Sequence, residues 1–324
     1  MVHTTVVGSY PRVSDAPEGQ RLRRAIARWE RHELTDSALR DVQMDVLREV
    51  VKEQARFVDL PADGQVTWYD PVSHFAAKLE GFEIGGLLRY FDTNTYYRQP
   101  RPKGKVRWTG AITVDDWMAA SAASPAPVKA VVTGPYTLAV LSAGAASHVP
   151  DLAWELAVAL GHELGNLVHA GATHLQVDEP ALAGAKALPK GYDEIAKVLL
   201  EGQGRARSSL FIYFGGVGHL LPELLDLPFD VLGLDFVQGA GTLAALRTMQ
   251  TEKQIAFGLV DARNTRLEDP KVIAKAVLGF EGRVPLEDSY LCPSNGLEYL
   301  PRSRAREKLK VLAEAARLVR EASA

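Results

Sequence analysis

The sequence predicts an α/β fold, a (β/α)8 TIM barrel with a β-hairpin excursion, on three observations. Short apolar runs rich in β-branched and aromatic residues alternate with longer stretches of helical periodicity, the pattern of βα units around a parallel sheet. The apolar runs end in polar, chemically capable residues, as strands do where a barrel carries its active site. A length of 324 residues accommodates one barrel with modest insertions, and no composition break reads as a linker. The expectation is a single domain over residues 1–324.

The strand candidates, in order, are "TTVVGSYPR", "ARFVDLPADGQ", "LLRYFDTNTYY", "VKAVVTGPYT", "THLQVDEPAL", "LFIYFGG", "VLGLDFVQG", "IAFGLVDARN" and "SYLCPSNGL", nine runs for eight barrel places. The run ending in Tyr97 is followed after "RQPRPKG" by "KVRWTG", and these two segments are expected to pair as a hairpin outside the barrel. Between the strands, Leu39, Val42, Val46 and Val50, and later Leu309, Leu312, Ala315 and Leu318, recur at helical spacing and mark core-facing helix stripes. The small-residue stretches around 119–127 and 142–150 are loops or helix ends. No internal repeat is visible.

Composition excludes several function classes. A net charge of -3 and a pI near 6.3 supply no basic field for nucleic acid. No apolar run approaches the roughly 18 residues of a membrane span, and the N-terminus lacks a secretory pattern, so a cytoplasmic protein is expected. Cys292, the sole cysteine, fits a reducing compartment and cannot build a multi-thiolate metal site. The eight histidines show no HxH, HxC or HExxH spacing; His162 and His169 in "HELGNLVH" are seven apart rather than four. No metal site is therefore expected. There is no GxxxxGK[ST] loop and no GxSxG elbow. Gly239-x-Gly241-x-x-Ala244, with Asp261 twenty residues beyond Gly241, matches a dinucleotide fingerprint but lies late in the chain, leaving a nucleotide-dependent oxidoreductase as a minor alternative.

The chemistry-bearing candidates sit at strand ends. Gly8 and Ser9 close the first run, where glycine permits close backbone approach; a simple turn is the structural alternative. Asp178 and Glu179 follow Gln176, and strand alternation lets only one of the two carboxylates face the barrel mouth. A buried carboxylate there requires a cationic partner, either a ligand ammonium or a protein arginine. Asp261, Arg263 and Asn264 form a polar cluster suited to clamping a carboxylate, or to a structural salt bridge. Tyr213 and Asp235 end two further strands, with packing and an arginine pair as the structural readings. The helix "GQRLRRAIARWERHEL" carries Arg21, Arg24 and Arg28 on one face, and Arg98, Arg101, Lys103 and Lys105 lie on the expected hairpin. These are solvated surfaces or a recognition surface for a polyanionic small ligand.

Taken in order, "VVGSYPR", "DTNTYY", "VTGPYT", "QVDEPAL", "YFGG", "LDFV", "LVDARN" and "PSNGLEYLP" resemble the cobalamin-independent methionine synthase family over nearly the whole chain. That family is built from two homologous barrels, of which the second holds zinc and the reaction. Its zinc ligands, His-x-Cys, an acid and a late Cys, correspond by resemblance to Ile212, Phe214, Asp235 and Asn295, which leaves zinc without its ligand set. "YFGG" and "RLRRAI" look more like the N-terminal barrel, whose basic segment contacts the glutamate tail of methyltetrahydrofolate. The resemblance implies folate-tail contacts from Arg21, Arg23 and Arg24, joined by Lys103 and Lys105. It also implies a homocysteine contact from Asp178, with Gln65 standing where an acidic contact is expected.

The expected function is methyl transfer from a methyltetrahydrofolate-type co-substrate to a thiol such as homocysteine, with no tightly bound cofactor. Asp178, Tyr213 and Asp235 are the catalytic candidates, and Gly8, Ser9, Gln65, Glu179, Asp261, Arg263 and Asn264 the substrate-binding ones. The barrel would work either with a separate zinc-bearing barrel as partner or without zinc. The alternative is a non-catalytic folate- or amino-acid-binding or regulatory protein.

Overall fold

A computed structural model describes residues 1–15, 19–144 and 148–323; part of the small-residue stretch at 142–150 lies outside them. In chain order the regular elements are β1 (His3–Thr4), α1 (Arg21–Glu30), α2 (Asp36–Gln54), α3 (Ser73–Ala76), β2 (Leu79–Arg89), β3 (Tyr96–Trp108), α4 (Val114–Ala123), β4 (Ala130–Thr133), α5 (Pro135–Val140) and α6 (Val149–His169). There follow β5 (His174–Asp178), α7 (Tyr192–Leu200), β6 (Arg207–Ile212), α8 (Leu221–Asp226), β7 (Val231–Asp235), α9 (Ala240–Leu246), β8 (Gln254–Val260), α10 (Pro270–Leu278), β9 (Tyr290–Pro293) and α11 (Arg302–Ala322).

Among the described residues, seven parallel strands run in the order β1-β9-β8-β7-β6-β5-β4. The eighth place belongs to residues 60–62, where Thr5 bridges Leu60 and Ala62 bridges Lys129, the residue before β4. The strand order thereby returns on itself, and the fold is the expected (β/α)8 barrel. The run "ARFVDLPADGQ" supplies only those two bridges because Pro61 has no N–H to give a ladder. Strands β4, β7 and β9 are buried at every residue, which is why they read as unbroken apolar runs rather than alternating ones.

The chain forms two compact units. The first comprises Met1–Thr67, Asp116–Lys129 and Ala256–Ala324. Its helix α2 starts where Thr35 accepts the N–H of Ala38 at 3.2 Å, and it buries Leu39, Val46, Leu47, Val50 and Val51 on one stripe. Each such leucine or valine contributes about 1.5–3 kcal/mol through burial. On α11 the buried stripe is Leu309, Leu312, Ala315 and Val319, with Leu318 half-buried beside it. The Tyr10 hydroxyl donates to Glu53 at 2.7 Å, and Arg302 reaches the other Glu53 oxygen at 3.4 Å, joining the β1 loop, α2 and α11.

The second unit comprises Trp68–Asp115 and Ala130–Ile255. It contains the hairpin, but with a different turn from the one expected. Strands β2 and β3 are antiparallel partners joined through "YFDTNT", and "RQPRPKG" lies inside β3. Thr93 decides this: its hydroxyl donates to the Tyr90 carbonyl at 2.5 Å, while the Tyr90 N–H reaches Thr95 at 2.9 Å. Pro100 and Pro102 are tolerated because a two-stranded ribbon is all edge.

The hairpin is tied to α6 by one buried carboxylate. Glu163 is fully buried and accepts the Trp108 indole N–H (2.9 Å), the Ile112 N–H (2.9 Å), and the Thr113 N–H and hydroxyl (2.7 and 2.9 Å). Replacing it by Leu strands several buried donors, each costing about 1–3 kcal/mol. Glu163→Leu should therefore lower unfolding stability by roughly 3–5 kcal/mol in urea denaturation, and a loss below about 1 kcal/mol would contradict the anchoring role.

Candidate active site

Within the second unit, β5 ends in two carboxylates that part company. Gln176 and Asp178 share a face of the strand, and the Gln176 amide donates to Asp178 Oδ1 at 2.6 Å. The Tyr213 hydroxyl, one residue beyond β6, donates to Asp178 Oδ2 at 3.2 Å. All three side chains are at least nine-tenths buried. Glu179 turns the other way, accepting the N–H groups of Tyr136 (2.9 Å) and Thr137 (2.7 Å) and the Tyr192 hydroxyl (3.3 Å). It thus caps the first turn of α5, and burial pushes its carboxyl up to about 7 against those donors. Gly134 is needed beside it, since a Cβ there would lie 2.2 Å from the Glu179 carboxyl carbon.

Asp235, at the end of β7, accepts the N–H groups of Val237 and Gln238 at 2.9 Å and of Phe214 at 3.2 Å. Those bonds fix Phe214 at a φ of +70°, a left-handed conformation that costs a non-glycine residue energy. Phe91, in the hairpin turn, is also left-handed at +47°, and its ring lies 5.7 Å from that of Phe214. Tyr213 meets Phe214 edge-on at 4.7 Å, and Tyr90 does so at 6.1 Å. Sequence reasoning missed this aromatic cluster, since nothing in the composition of "YFGG" or "YFDT" marks a left-handed phenylalanine. Of the hairpin cations, Lys103 pairs with Glu83 at 2.8 Å, Arg98 stands 5.3 Å above the Tyr69 ring, and Lys105 is exposed.

In the first unit, Gly8 is buried and Ser9 half-buried; the Ser9 carbonyl receives the Leu297 N–H at 2.9 Å. Residues 60–62 lead into Asp63, Gly64 and Gln65. Gly64 (φ +74°) and Gln65 (φ +53°) are both left-handed, and a Cβ on Gly64 would meet Val50 Cγ1 at 2.5 Å. The Gln65 N–H donates to Asp63 Oδ1 at 3.0 Å. Burial, reinforced by the Asp116 carboxylate, pushes Asp63 up to about 7. Asp116 itself is held by Arg40 at 2.5 Å and by the Thr67 hydroxyl. The sequence reading passed over Asp63 in favour of Gln65, although "DGQ" carried an Asp-Gly turn signal.

Strand β8 stops at Val260, so the polar cluster of Asp261, Arg263 and Asn264 lies in the loop beyond it. Asp261 accepts the Arg263 N–H at 2.8 Å in a local turn. With Asn264, Arg266 and Glu268 it lines a cleft of about 420 Å³ beside α10. On α1, Leu22 and Ala25 are buried, Arg21 pairs with Glu49 at 2.8 Å, and Arg23 and Arg24 are exposed.

The family model described as "Cobalamin-independent synthase, Catalytic domain" matches residues 2–318. The chain belongs to the cobalamin-independent synthase family. It is 30% identical to a methionine synthase of Saccharolobus solfataricus, over 99% of this chain and 96% of that protein. It is equally 30% identical to a methionine synthase of Sulfurisphaera tokodaii, over 98% and 92%. Two solved structures share the fold. One is a B12-independent methionine synthase of a Shewanella species in complex with selenomethionine (TM-score 0.83, 21% identity, 100% and 99% coverage). The other is a putative vitamin-B12-independent methionine synthase of Listeria monocytogenes (TM-score 0.74, 18% identity, 99% of both chains). The barrel strand order also removes the structural context of the Gly239-x-Gly241 fingerprint, which needs an open doubly wound sheet.

The residues at the places that the resemblance assigns to zinc do not fit that ion. Ile212 is a buried core residue, Phe214 is packed in the aromatic cluster, and the Asp235 carboxylate is bonded to three backbone N–H groups. Asn295 is fully buried with an amide oxygen that accepts no hydrogen bond, a far weaker donor to zinc than thiolate. Among the described residues no group of three or more His, Cys, Asp or Glu side chains is arranged to hold a metal ion.

Two groups shifted upward have a stability consequence. A carboxyl whose folded pKa is raised binds its proton more tightly when folded. Its contribution is complete below its ordinary value and is lost as pH rises through about 7, for both Asp63 and Glu179. Each should cost roughly 2 kcal/mol of stability between pH 5 and pH 8, at about 1.4 kcal/mol per pH unit. Urea denaturation of Asp63→Asn should show a shallower decline than wild type; parallel curves would contradict the buried, charge-opposed placement.

Proposed function

We propose that this chain transfers a methyl group from a methyltetrahydrofolate-type donor to the thiol of homocysteine or a close analogue, as a single barrel. One observation carries the reading: the buried Asp178 carboxylate at the end of β5, oriented by Gln176 and Tyr213, in a chain of this family. A carboxylate so placed is suited to hold an amino-acid ammonium, because burial strengthens a charge-assisted hydrogen bond. The exposed Arg23 and Arg24 suit the anionic glutamate tail of the donor, with Arg21, Lys103 and Lys105 as further candidates. Asp261, Arg263 and Asn264 are assigned to substrate binding, as are Gly8, Ser9 and Gln65. Tyr213 is a positioning residue for Asp178. Glu179 and Asp235 hold the backbone around it.

The test is turnover by purified, metal-analysed protein supplied with methyltetrahydrofolate triglutamate and homocysteine. Methionine formed with zinc far below stoichiometric supports the proposal. Activity only after a second, zinc-bearing barrel is added would replace it by a partnered reading, and none in either case would overturn it.

The variants have graded expectations. Asp178→Asn should raise the KM for homocysteine about 10- to 100-fold, a loss of about 1.5–3 kcal/mol from a charged hydrogen bond. Tyr213→Phe should cost about 3- to 10-fold, from a neutral one. Arg23→Ala/Arg24→Ala should weaken triglutamate binding about 2- to 10-fold in calorimetry and leave monoglutamate binding unchanged. Equal weakening of both would sink the tail assignment.

A further inference from the structure

We propose that the cleft beside α10 binds a free α-amino acid with an apolar side chain. This goes beyond the methyl-transfer reading and does not depend on it.

The cleft lies within the first unit, and the residues that line it all fall in the stretch 259–276. Its volume of about 420 Å³ is at the lower end of small-molecule sites, which run from roughly 300 to 1,000 Å³. Part of the lining is apolar: Leu259 from β8, Leu267 from the loop, and Val272 and Ile273 from α10. Leu267 and Val272 are 38% and 65% exposed, so this apolar part lacks cover at its edge. The polar part carries both signs, with Asp261 and Glu268 against Arg266.

Glu268 marks what the polar part lacks. Its Oε1 accepts the Lys308 ammonium at 2.7 Å and the Asp261 N–H at 3.0 Å. Its Oε2 is buried and accepts no hydrogen bond among the described residues. Lys308 is itself fully buried and also donates to the Arg266 carbonyl, so one cation fixes both the carboxylate and the backbone of the cleft. A buried carboxylate oxygen without a donor is unfavourable, and an ammonium in the cleft would supply one.

Three requirements define the ligand. A positively charged donor satisfies Glu268 Oε2. An anionic group matches the exposed Arg266 guanidinium, whose planar fork suits a carboxylate. An apolar group covers Leu267 and Val272 and removes their surface from water. A zwitterionic amino acid with an apolar side chain carries all three on one carbon atom. A simple amine lacks the anion, and a fatty acid lacks the cation. Because Glu268 also accepts the Asp261 N–H, a ligand at Oε2 acts on the loop that leaves β8.

The experiment is calorimetric titration of the whole chain with L-leucine, beside N-acetyl-L-leucine, which lacks the ammonium, and L-leucinamide, which lacks the carboxylate. Wild type and Asp178→Asn should both bind L-leucine, and neither should bind the two derivatives. Arg266→Ala should weaken L-leucine binding about 3- to 10-fold, the effect of a charged contact discounted for exposure. Val272→Asp places a carboxylate against the ligand's apolar side chain and should weaken binding at least about 5-fold. Both positions are exposed, and an acid in the first turn of α10 suits the helix dipole, so both variants should fold. Binding lost in Asp178→Asn but unchanged in Arg266→Ala and Val272→Asp would move the amino acid to Asp178 and overturn the inference, leaving methyl transfer intact. Equal binding of L-leucinamide would overturn the zwitterion assignment, and no binding of L-leucine by wild type would overturn the site. The titration requires no turnover, so an inactive wild type counts against methyl transfer alone.

Discussion

Glu179 receives the N–H groups of Tyr136 and Thr137 in the protein interior, and much of the local architecture follows from the need that bond answers. Parallel strands run their C-terminal ends into loops whose first N–H groups have no ladder partner, while the same strand ends deliver carboxylates into a region of low dielectric. Joining the two satisfies both. Glu179 does this for α5, Asp235 for the loop after β7, and Asp70 for α3, accepting Val72 and Ser73 at 2.8 and 2.6 Å. Carboxylates so occupied hold the backbone of the segments that follow them.

The same logic extends from backbone to rings. Phe214 sits in a conformation costing about 1–3 kcal/mol for a residue with a Cβ, and Asp235 together with the rings of Tyr90, Phe91 and Tyr213 compensates for it. A carboxylate that family resemblance assigns to a metal is here the support for an aromatic side chain. The hairpin carrying Tyr90 and Phe91 is fixed in turn by Glu163 on α6, so the second unit has one continuous chain of support from helix to strand end.

How much of this was legible depends on whether local chemistry sufficed. The strand runs were, because burial on both faces leaves unbroken apolar runs, and so was the parting of Asp178 and Glu179, which follows from strand alternation alone. The hairpin was legible but its turn was not: "RQPRPKG" carries stronger turn residues than "FDTN", and the Thr93 hydroxyl bond that settles the matter is a three-dimensional fact. The polar cluster after β8 was legible as residues but not as geometry, since the Asp261 carboxylate accepts the Arg263 N–H within its own loop. Asp63 escaped notice because one residue's acceptor count depends on every neighbour, and the like charge that acts on it comes from Asp116, far along the chain.

Asp63 shows what a buried carboxylate costs when it lacks a cation. Burial, and after it the Asp116 carboxylate, pushes its carboxyl up to about 7. A group that binds its proton more tightly when folded gives up that stability as pH rises through about 7, at about 1.4 kcal/mol per pH unit. Two successive left-handed residues, Gly64 and Gln65, hold the carboxylate there all the same, so the turn carries a cost in backbone conformation beside the cost in charge.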